Sequence, residues 1–432
     1  MFSLQLLNAR IDSLCPFGLM TDIGNFFGSK LRKGKLAKPI NITKYIFIGF
    51  LIFKVLGYLH DAIGITNSVV LTIEFVIFFL VFAFVIGLIA PRRTFCRIFC
   101  FLGSLPHLFG RLSIYTLETD RSKCVKCEGQ WCLTGYKAAP YGIAKAREPL
   151  ININGCPMYI NIPQLSHKES NRNCILCGNC MKNCPYDAIH YKPKVPGYEL
   201  YKGIDLNFHE TLFILGLIPL LAMFVAMEGG ILGSFAQFFK FPITAHWAIT
   251  GAYFLLAIIV FVFAYYLIAG LGSVILNVDY KLAVRNFGYI FLPFAYLAML
   301  RDILITYFLK GSFLPVKFPD IIAAYPFIDI PIILVGAAWS IYMAVKISQV
   351  TMKQAGKEVD SGRIAINTLF HALIIFFLTY YWIRLLFPEY LVTLAAEDIH
   401  YTAPFLFAGI LVGGFILVVK CFTKKQKTEV VS

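Results

Sequence analysis

Long apolar runs separated by short polar stretches dominate the 432-residue chain. A helix of about 20 apolar residues matches the hydrocarbon thickness of a bilayer. The pattern therefore predicts an α-helical polytopic membrane protein with about eight transmembrane helices. The predicted spans are residues 44–61, 69–90, 209–228, 245–270, 287–309, 328–347, 365–387 and 403–421.

The same pattern divides the chain into five segments. We predict an N-terminal arm (1–43), a transmembrane hairpin (44–90), one long polar segment (91–207), a six-helix transmembrane domain (208–421) and a basic tail (422–432). The arm lacks the apolar core that follows a short basic start in a cleaved signal peptide, so we expect none.

Charge then assigns sides to these segments. With eight spans, 33 of the 39 Lys and Arg residues fall on one side of the membrane and 3 on the other. The positive-inside rule places the basic side in the cytoplasm. We therefore expect a protein of the cytoplasmic membrane with both termini and segment 91–207 inside. This rule also accounts for the net charge of +15, so we predict no nucleic-acid partner.

Cysteines carry the candidate chemistry. The run Cys174-Ile-Leu-Cys177-Gly-Asn-Cys180-Met-Lys-Asn-Cys184-Pro has the spacing with which bacterial ferredoxins bind [4Fe–4S] clusters. The fourth cysteine of such a run ligates a second cluster, so a second set should exist. That set is Cys124, Cys127, Cys132 and Cys156.

Two alternatives explain the cysteines less well. A zinc site built from two Cys-x-x-Cys pairs needs only four ligands and leaves Cys156, Cys180 and Cys184 without a role. A disulfide framework conflicts with the expected cytoplasmic location, where thiols are kept reduced.

Residues 113–200 resemble a small α+β two-cluster ferredoxin domain, inserted between the second and third spans. That resemblance implies crossed ligation of two [4Fe–4S] clusters. Cluster 1 would use Cys124, Cys127, Cys132 and Cys184, and cluster 2 would use Cys174, Cys177, Cys180 and Cys156. The sequence departs from the plain pattern by four residues between Cys127 and Cys132, and by the insert Leu133–Gly155.

Two further motifs carry a resemblance to a membrane family. They are Arg92-Arg-Thr-Phe-Cys96-Arg-Ile-Phe-Cys100-Phe-Leu-Gly103 and Cys15-Pro-Phe-Gly18. With the paired cysteine sets, residues 10–200 resemble the membrane-bound 4Fe–4S polyferredoxins of the NosR/NapH type. The chain has Phe101 where that family has proline and Ile11 where it has cysteine. No flavin-attachment motif is present, so covalent FMN is not expected.

The resemblance implies electron transfer between a cytoplasmic or quinone donor and a membrane or extracytoplasmic redox partner. The chain would then be a subunit of a multi-protein oxidoreductase system and not a stand-alone catalyst. The sequence has no Walker loop and no dinucleotide fingerprint. The alternative function is a redox-linked maturation or transport component that supplies electrons to the assembly of a metalloenzyme. A scaffold with degenerate clusters is disfavoured by the full cysteine octet.

Four cysteines remain, and the predicted topology puts all of them at the cytoplasmic face. Cys96 and Cys100 have the i, i+4 spacing that places two side chains on one face of a helix. Together with Cys15 they could hold a third metal centre. The alternative is that they pack as ordinary small apolar side chains. Cys421 is expected to be inert.

Ionisable residues inside spans are costly and usually paired or functional. Lys54 and Glu74 reach similar depth in the first hairpin, so an ion pair is expected there. Arg301 and Asp302 form a second charge pair, with either a structural role or a part in a quinone or proton site. His246 and His371 are predicted at opposite depths, which argues against a haem b bridging them.

Overall fold

The chain consists of two compact units, residues 1–205 and 206–432, which are treated separately below. The computed structural model describes residues 15–31, 48–49, 51–52, 68–90, 94–127, 130–134, 155–156, 158, 160–167, 169–172, 174, 176–228, 246–302 and 319–386.

The first unit begins with two helices, α1 (Pro16–Leu31) and α2 (Val69–Ile89). The Ser68 hydroxyl accepts a hydrogen bond from the Leu71 N–H and so caps α2. The helix stops at Ala90, ahead of Pro91, which disfavours a helical conformation in the residue before it. Helix α2 is long and apolar enough to cross a membrane, and its bounds match the predicted span 69–90.

Glycines let α1 and α2 approach until their backbones touch. A Cβ added at Gly24 would lie 2.2 Å from the Phe84 carbonyl oxygen, and one at Gly87 would lie 2.5 Å from the Thr21 carbonyl oxygen. Small residues permit this close helix packing in membrane proteins. The sequence pattern predicts a polar arm over residues 1–43 and gives no indication of α1.

After α2 comes a juxtamembrane segment, defined here as Phe95–Leu112. It consists of a π-helical turn (Phe95–Phe99), α3 (Phe101–Phe109) and a 3₁₀ turn (Gly110–Leu112). The Cys100 N–H donates to the Phe95 carbonyl at 3.0 Å, and Cys100 itself is extended. Cys96 therefore lies in a wider turn than an α-helix makes, and Cys100 lies just after it. That the two thiols share one face stays a prediction.

The cysteine segment is built on one antiparallel pair of strands, β1 (Tyr115–Thr119) and β2 (Ile189–Pro193), with Leu117 opposite Tyr191. Short helices lie between and after the strands: α4 (Arg121–Val125), α5 (Trp131–Thr134), α6 (Ile162–His167), α7 (Asn179–Lys182) and α8 (Tyr198–Tyr201). The buried core contains Leu117, Ile162 and Ile189 together with Cys156, Cys174 and Cys180. Cysteine side chains thus form much of this small core.

The second unit is helical throughout its described residues. Its helices are α9 (Phe208–Glu228), α10 (His246–Leu276), α11 (Tyr280–Phe287), a 3₁₀ turn (Gly288–Phe291), α12 (Leu292–Asp302), α13 (Pro319–Gln354) and α14 (Ser361–Leu386). Asp279 caps α11, because its carboxylate accepts from the Leu282 N–H at 3.2 Å. Part of the stretch expected to be a polar loop, 271–286, is therefore helical.

Five helices in the described part of the chain are long and apolar enough to cross a membrane. They cover Val69–Ile89, Ala248–Leu276, Tyr280–Arg301, Ile330–Gln354 and Ser361–Ile383. Phe208–Ala222 is a shorter apolar helix within the predicted span 209–228. The predicted span 403–421 and nearly all of 44–61 lie outside the described residues, so a total of eight spans stays a prediction.

The polar residues assigned to spans differ in burial. Glu74 is exposed on α2, and Arg301 is buried on α12. His371 is fully buried, with Nδ1 2.9 Å from the Asn367 carbonyl oxygen and its ring 5.1 Å from the Phe287 ring. Lys54, Cys421 and the side chains of Asp302 and His246 lie outside the described residues, so the two expected ion pairs stay predictions.

Candidate iron–sulfur site

Four cysteines that are far apart in sequence surround one cavity in the first unit. The cavity has a volume of about 220 Å³, and Cys124, Cys127, Cys132 and Cys184 are all in its lining. Cys124 lies on α4, and Asp120 caps the start of that helix. The Asp120 carboxylate accepts a hydrogen bond from the Ser122 N–H at 3.0 Å. The Cys127 N–H then bonds to the Cys124 carbonyl at 3.1 Å, which closes the turn.

Apolar and aromatic side chains complete the wall of this cavity. Trp131 is 2% exposed and stacks on Tyr186, with 6.2 Å between ring centroids. Ile162 and Ile189 line the opposite parts of the wall and belong to the buried core. The wall of the cavity is therefore largely apolar, and the polarity around an iron–sulfur cluster is one factor that sets its reduction potential.

The second cysteine group includes Cys180 on α7 and the loop that precedes this helix. Cys156, Cys174 and Cys180 are buried, and Cys177 is half-buried. Leu176 and Gly178 have φ of 53° and 76°, so the backbone reverses direction between Cys174 and Cys180. In this loop the Leu176 N–H points at the Cys174 sulfur, 3.4 Å away. Such N–H donors stabilise negative charge on a sulfur ligand.

Backbone contacts bring the two groups side by side. The Cys156 N–H donates to the Cys132 carbonyl at 2.9 Å, so the ends of the insert Leu133–Gly155 meet. The Ala188 N–H lies 3.3 Å from the Cys184 sulfur. Cys184 belongs to the second run in sequence, but in the structure it lines the cavity of the first group. Six of the eight ferredoxin-type cysteines thus belong to one small core or pack against it, and Cys124 and Cys127 line the adjoining cavity.

The thiols of each group interact electrostatically. Burial raises the pKa of Cys124, and the Cys184 and Cys127 thiolates raise it further. Burial raises the pKa of Cys132 to about 12, with smaller contributions from Cys127 and Cys184.

The second group behaves in the same way. Burial raises the pKa values of Cys174 and Cys180, and nearby thiolates, Cys156 and Cys177 among them, add to both shifts. Without a cation these thiols keep their protons, and bound iron would stabilise the thiolates.

The donor set fits an iron–sulfur cluster better than a single ion. Among the residues described, no three His, Cys, Asp or Glu side chains converge closely enough to hold one metal ion. The four thiolates of a [4Fe–4S] cluster each bind a different iron and stand farther apart than the ligands of one zinc. The cavity lined by four cysteines offers one thiol for each iron of such a cluster.

A buried ionic network contacts the residues just before Cys174, in the second cysteine group. Glu199 is fully buried; its carboxylate lies 3.5 Å from Arg111 Nε, and it pairs with the Lys194 ammonium. It also accepts from the Asn171 N–H at 2.6 Å, and the Asn171 carbonyl accepts from the Cys174 N–H at 2.8 Å. The network therefore fixes the residues that lead into the Cys174 loop.

The sequence alone does not predict this buried ionic network. Nothing in the spacing of Arg111, Lys194 and Glu199 separates them from the solvated charges of the same segment. Burial lowers the pKa of Lys194, and the adjacent Glu199 carboxylate opposes that shift. Only the folded chain places these three charges together.

The juxtamembrane segment contacts the second cysteine group. Arg97 is 1% exposed, and its guanidinium donates to the Met158 carbonyl at 2.5 Å, two residues after Cys156. A Cβ added at Gly110 would lie 2.9 Å from the Cys174 carbonyl oxygen. The segment that follows α2 is thus attached to the ferredoxin-like core beside Cys156 and Cys174.

The remaining described cysteines lie near one aromatic contact. Cys15 immediately precedes α1, and the Phe17 ring is 6.1 Å from the Phe95 ring. Cys96 follows Phe95, and both Cys96 and Cys100 are half-buried. Within the described residues these thiols do not form the close group that a single metal ion requires.

Comparison with known proteins supports an iron–sulfur role for the second cysteine run. Residues 170–190 match the model of a 4Fe-4S binding domain, and that stretch contains Cys174, Cys177, Cys180 and Cys184. An uncharacterized protein of Methanocaldococcus jannaschii is 26% identical over 179 residues.

The matched region is 41% of this chain and about 61% of that relative's length. No solved structure matches. These findings show a 4Fe-4S binding domain in a mostly helical chain with several apolar helices, whereas the NosR/NapH resemblance stays a prediction.

Proposed function

We propose that this chain is a membrane electron-transfer protein that relays electrons through two [4Fe–4S] clusters. The observation that carries the proposal is the cavity ringed by Cys124, Cys127, Cys132 and Cys184, directly beside the matched 4Fe-4S binding domain. In this proposal those four cysteines hold cluster 1. Cys174, Cys177, Cys180 and Cys156 hold cluster 2.

Each part of the site has a defined task in this function. A bound [4Fe–4S] cluster supplies reversible one-electron transfer. The Leu176 and Ala188 N–H groups direct positive charge at Cys174 and Cys184, which favours the added electron. Trp131 and its neighbours give the cavity of cluster 1 a largely apolar wall, and the buried Glu199 network anchors the residues that lead into the Cys174 loop.

The apolar helices support a location in the cytoplasmic membrane. There the clusters would exchange electrons with a quinone or a partner protein, with the chain acting as a subunit of a larger oxidoreductase complex. The full charge asymmetry of the sequence supports a cytoplasmic position for the clusters and both termini.

Metal analysis and spectroscopy test the two-cluster proposal. Protein purified without oxygen should contain about eight irons and eight sulfides per chain. After dithionite reduction, low-temperature EPR should show interacting S = 1/2 signals from two [4Fe–4S]⁺ clusters. An EPR-silent protein with bound zinc would overturn the proposal.

Quinone use needs a separate measurement. The reduced protein in liposomes should be reoxidised by a short-chain quinone analogue if the membrane helices form a quinone site. Full EPR signals without quinone-dependent reoxidation would instead favour a dedicated protein partner.

Cys15, Cys96 and Cys100 are proposed ligands of a third metal centre at the membrane face. The contact between Phe17 and Phe95 supports this, because it holds the start of α1 beside the π-helical turn. An iron content clearly above eight that falls to eight in Cys96→Ser would agree with it. A wild-type value of about eight would exclude an iron centre there.

A further inference from the structure

The two cysteine groups differ in access to solvent. Cys124, Cys127, Cys132 and Cys184 are all half-buried, whereas Cys156, Cys174 and Cys180 are 8%, 7% and 5% exposed and only Cys177 of the second group is half-buried. If the clusters form as proposed above, cluster 1 is the more accessible to a soluble partner. Cluster 2 is the more enclosed, and its ligands lie beside the juxtamembrane segment, which the Arg97–Met158 hydrogen bond joins to them.

The loop that carries Cys124 and Cys127 has an exposed apolar tip. Val125 lies between the two cysteines and is 78% exposed, among the most exposed large apolar side chains in the described residues. Lys123 and Lys126, on either side of the tip, are both exposed. An apolar centre with a charged rim is the usual anatomy of a protein-docking patch.

A recess opens beside this tip. It has a volume of about 540 Å³, and Arg121, Cys124, Val125 and Lys192 are in its lining. Two of the lysines here are paired with carboxylates: Lys123 lies 3.7 Å from Asp120, and Lys192 pairs with Glu118 at 2.8 Å. Glu169 also lines the recess. The patch is therefore concave, and its positive charge rests mainly on the exposed Arg121 and Lys126.

The charge of the whole segment has the same sign. Residues 91–207 contain 16 Lys and Arg and 8 Asp and Glu, a net charge of +8. A field of this sign attracts an anionic partner and raises its association rate. The same charge would also attract anionic lipid headgroups. A lipid headgroup exchanges no electrons, however, whereas the patch is centred on the loop that holds Cys124 and Cys127. A redox protein is therefore the better candidate for the partner.

We propose that the surface formed by Arg121–Cys127 and Lys192, called here the docking face, binds a small anionic electron-carrier protein of the flavin or iron–sulfur class. One electron passes between the carrier's cofactor and cluster 1, so one is oxidised as the other is reduced, and no proton or group is transferred. This proposal of a docking face rests on the proposed two-cluster function. It implies that electrons pass between the carrier and cluster 1, then between cluster 1 and cluster 2, which lies next to the juxtamembrane segment.

Stopped-flow kinetics on the full-length protein test the docking face. The probe is an acidic flavodoxin in its hydroquinone form, and cluster reduction is followed by absorbance. We expect the wild-type rate to fall as ionic strength rises. At low ionic strength, Lys126→Glu and Val125→Asp should each lower the second-order rate about tenfold or more.

Two controls accompany these variants. Lys357→Glu makes the same charge change at an exposed site outside the docking face, on the second unit, and should alter the rate little. Methyl viologen radical, a small cationic reductant, should reduce the clusters of every variant at least as fast as those of the wild type. Its rate and the iron content show whether a variant has kept cluster 1.

The outcomes separate the two proposals. If EPR shows no pair of clusters, the proposed function fails. If both clusters are present and reduced by viologen, but Lys126→Glu and Lys357→Glu react equally with flavodoxin, the docking face alone is wrong. An unchanged flavodoxin rate with weakened binding to phosphatidylglycerol vesicles would reassign the face to the membrane surface.

Discussion

At the residue scale, Cys184 connects the two halves of the candidate site. It ends the run that begins at Cys174, yet it lines the cavity of Cys124, Cys127 and Cys132. Its sulfur accepts a hydrogen bond from the Ala188 N–H, and its thiolate contributes to the raised pKa of Cys132. The resemblance implied this crossed ligation, which stays a prediction.

Paired substitutions test the crossing directly. Cys184→Ala should remove the same EPR signal as Cys124→Ala, because both residues line one cavity. Cys156→Ala should remove the other signal, as Cys177→Ala does. Each variant should keep about four of the eight irons if its remaining cluster survives.

The contrary result is equally clear. If Cys184→Ala and Cys177→Ala abolish the same signal and leave the other intact, the run 174–184 holds one cluster alone. The crossed assignment would then be wrong.

Cluster occupancy should depend on pH in a defined direction. Cluster assembly requires thiolates and so releases protons. Burial raises the pKa of Cys132 from 9.0 to about 12 and raises those of Cys124, Cys174 and Cys180. Unliganded thiols therefore stay protonated past pH 9, and cluster affinity should rise with pH throughout the range 7 to 9.

The measurement is iron retention against a fixed concentration of chelator at pH 7, 8 and 9. The chelator's own proton affinity must be corrected for, with a small ferredoxin as reference. An affinity for this protein that falls as pH rises would show that protons are not displaced from the cysteines.

At the element scale, the loops around the cysteines depend on polar contacts because the strands and helices there are short. The two strands have five residues each, and α5, α7 and α8 have four. Glu199 on α8 connects Arg111 with the start of the Cys174 loop. The network thus joins elements that are distant in sequence.

Glu199→Gln should destabilise the first unit strongly. The substitution leaves Arg111 and Lys194 buried without their counter-charge, a change that typically costs about 3–5 kcal/mol. The midpoint of urea-induced cluster loss should fall accordingly. Glu118→Gln is the matched control, because the Glu118–Lys192 pair is half exposed and should contribute little.

A midpoint that shifts equally in both variants would show that the Glu199 network does not support the cluster loops. Iron content at zero urea distinguishes a folding effect from direct loss of a ligand.

At the whole-molecule scale, each unit has its own basis for stability. The first unit combines the α1–α2 pair with the cysteine core, and the second is a set of packed apolar helices. Exposed apolar residues on α2, α10 and α14 include Phe78, Ile259 and Phe376. Such helices need an apolar solvent, as the bilayer provides.

The predicted topology can be measured with a fluorescent reporter that folds only in the cytoplasm. Fusions after Ser432 and before Met1 should fluoresce. A fusion truncated near Lys240, in a loop predicted to lie outside, should not. Fluorescence from the Lys240 fusion, or its absence at either terminus, would contradict the positive-inside assignment.

The sequence by itself determined the features that depend on local pattern. Cysteine spacing indicated the 4Fe-4S binding domain that the family comparison finds at 170–190. Hydropathy located α2 and most of the long helices of the second unit, because a span needs only enough consecutive apolar residues. The helix bounds near residues 271–286 were less predictable, because a single capping residue such as Asp279 decides where a helix begins.

Only the tertiary structure decided which distant residues meet. The contact between Cys132 and Cys156 across the insert, the Glu199 network and the close approach of Gly24 to Phe84 all join separate parts of the chain. The π-helical turn at Cys96 likewise departs from the expected α-helix. Hydropathy and spacing describe neighbours along the sequence, whereas burial and pairing depend on side chains that folding brings from elsewhere.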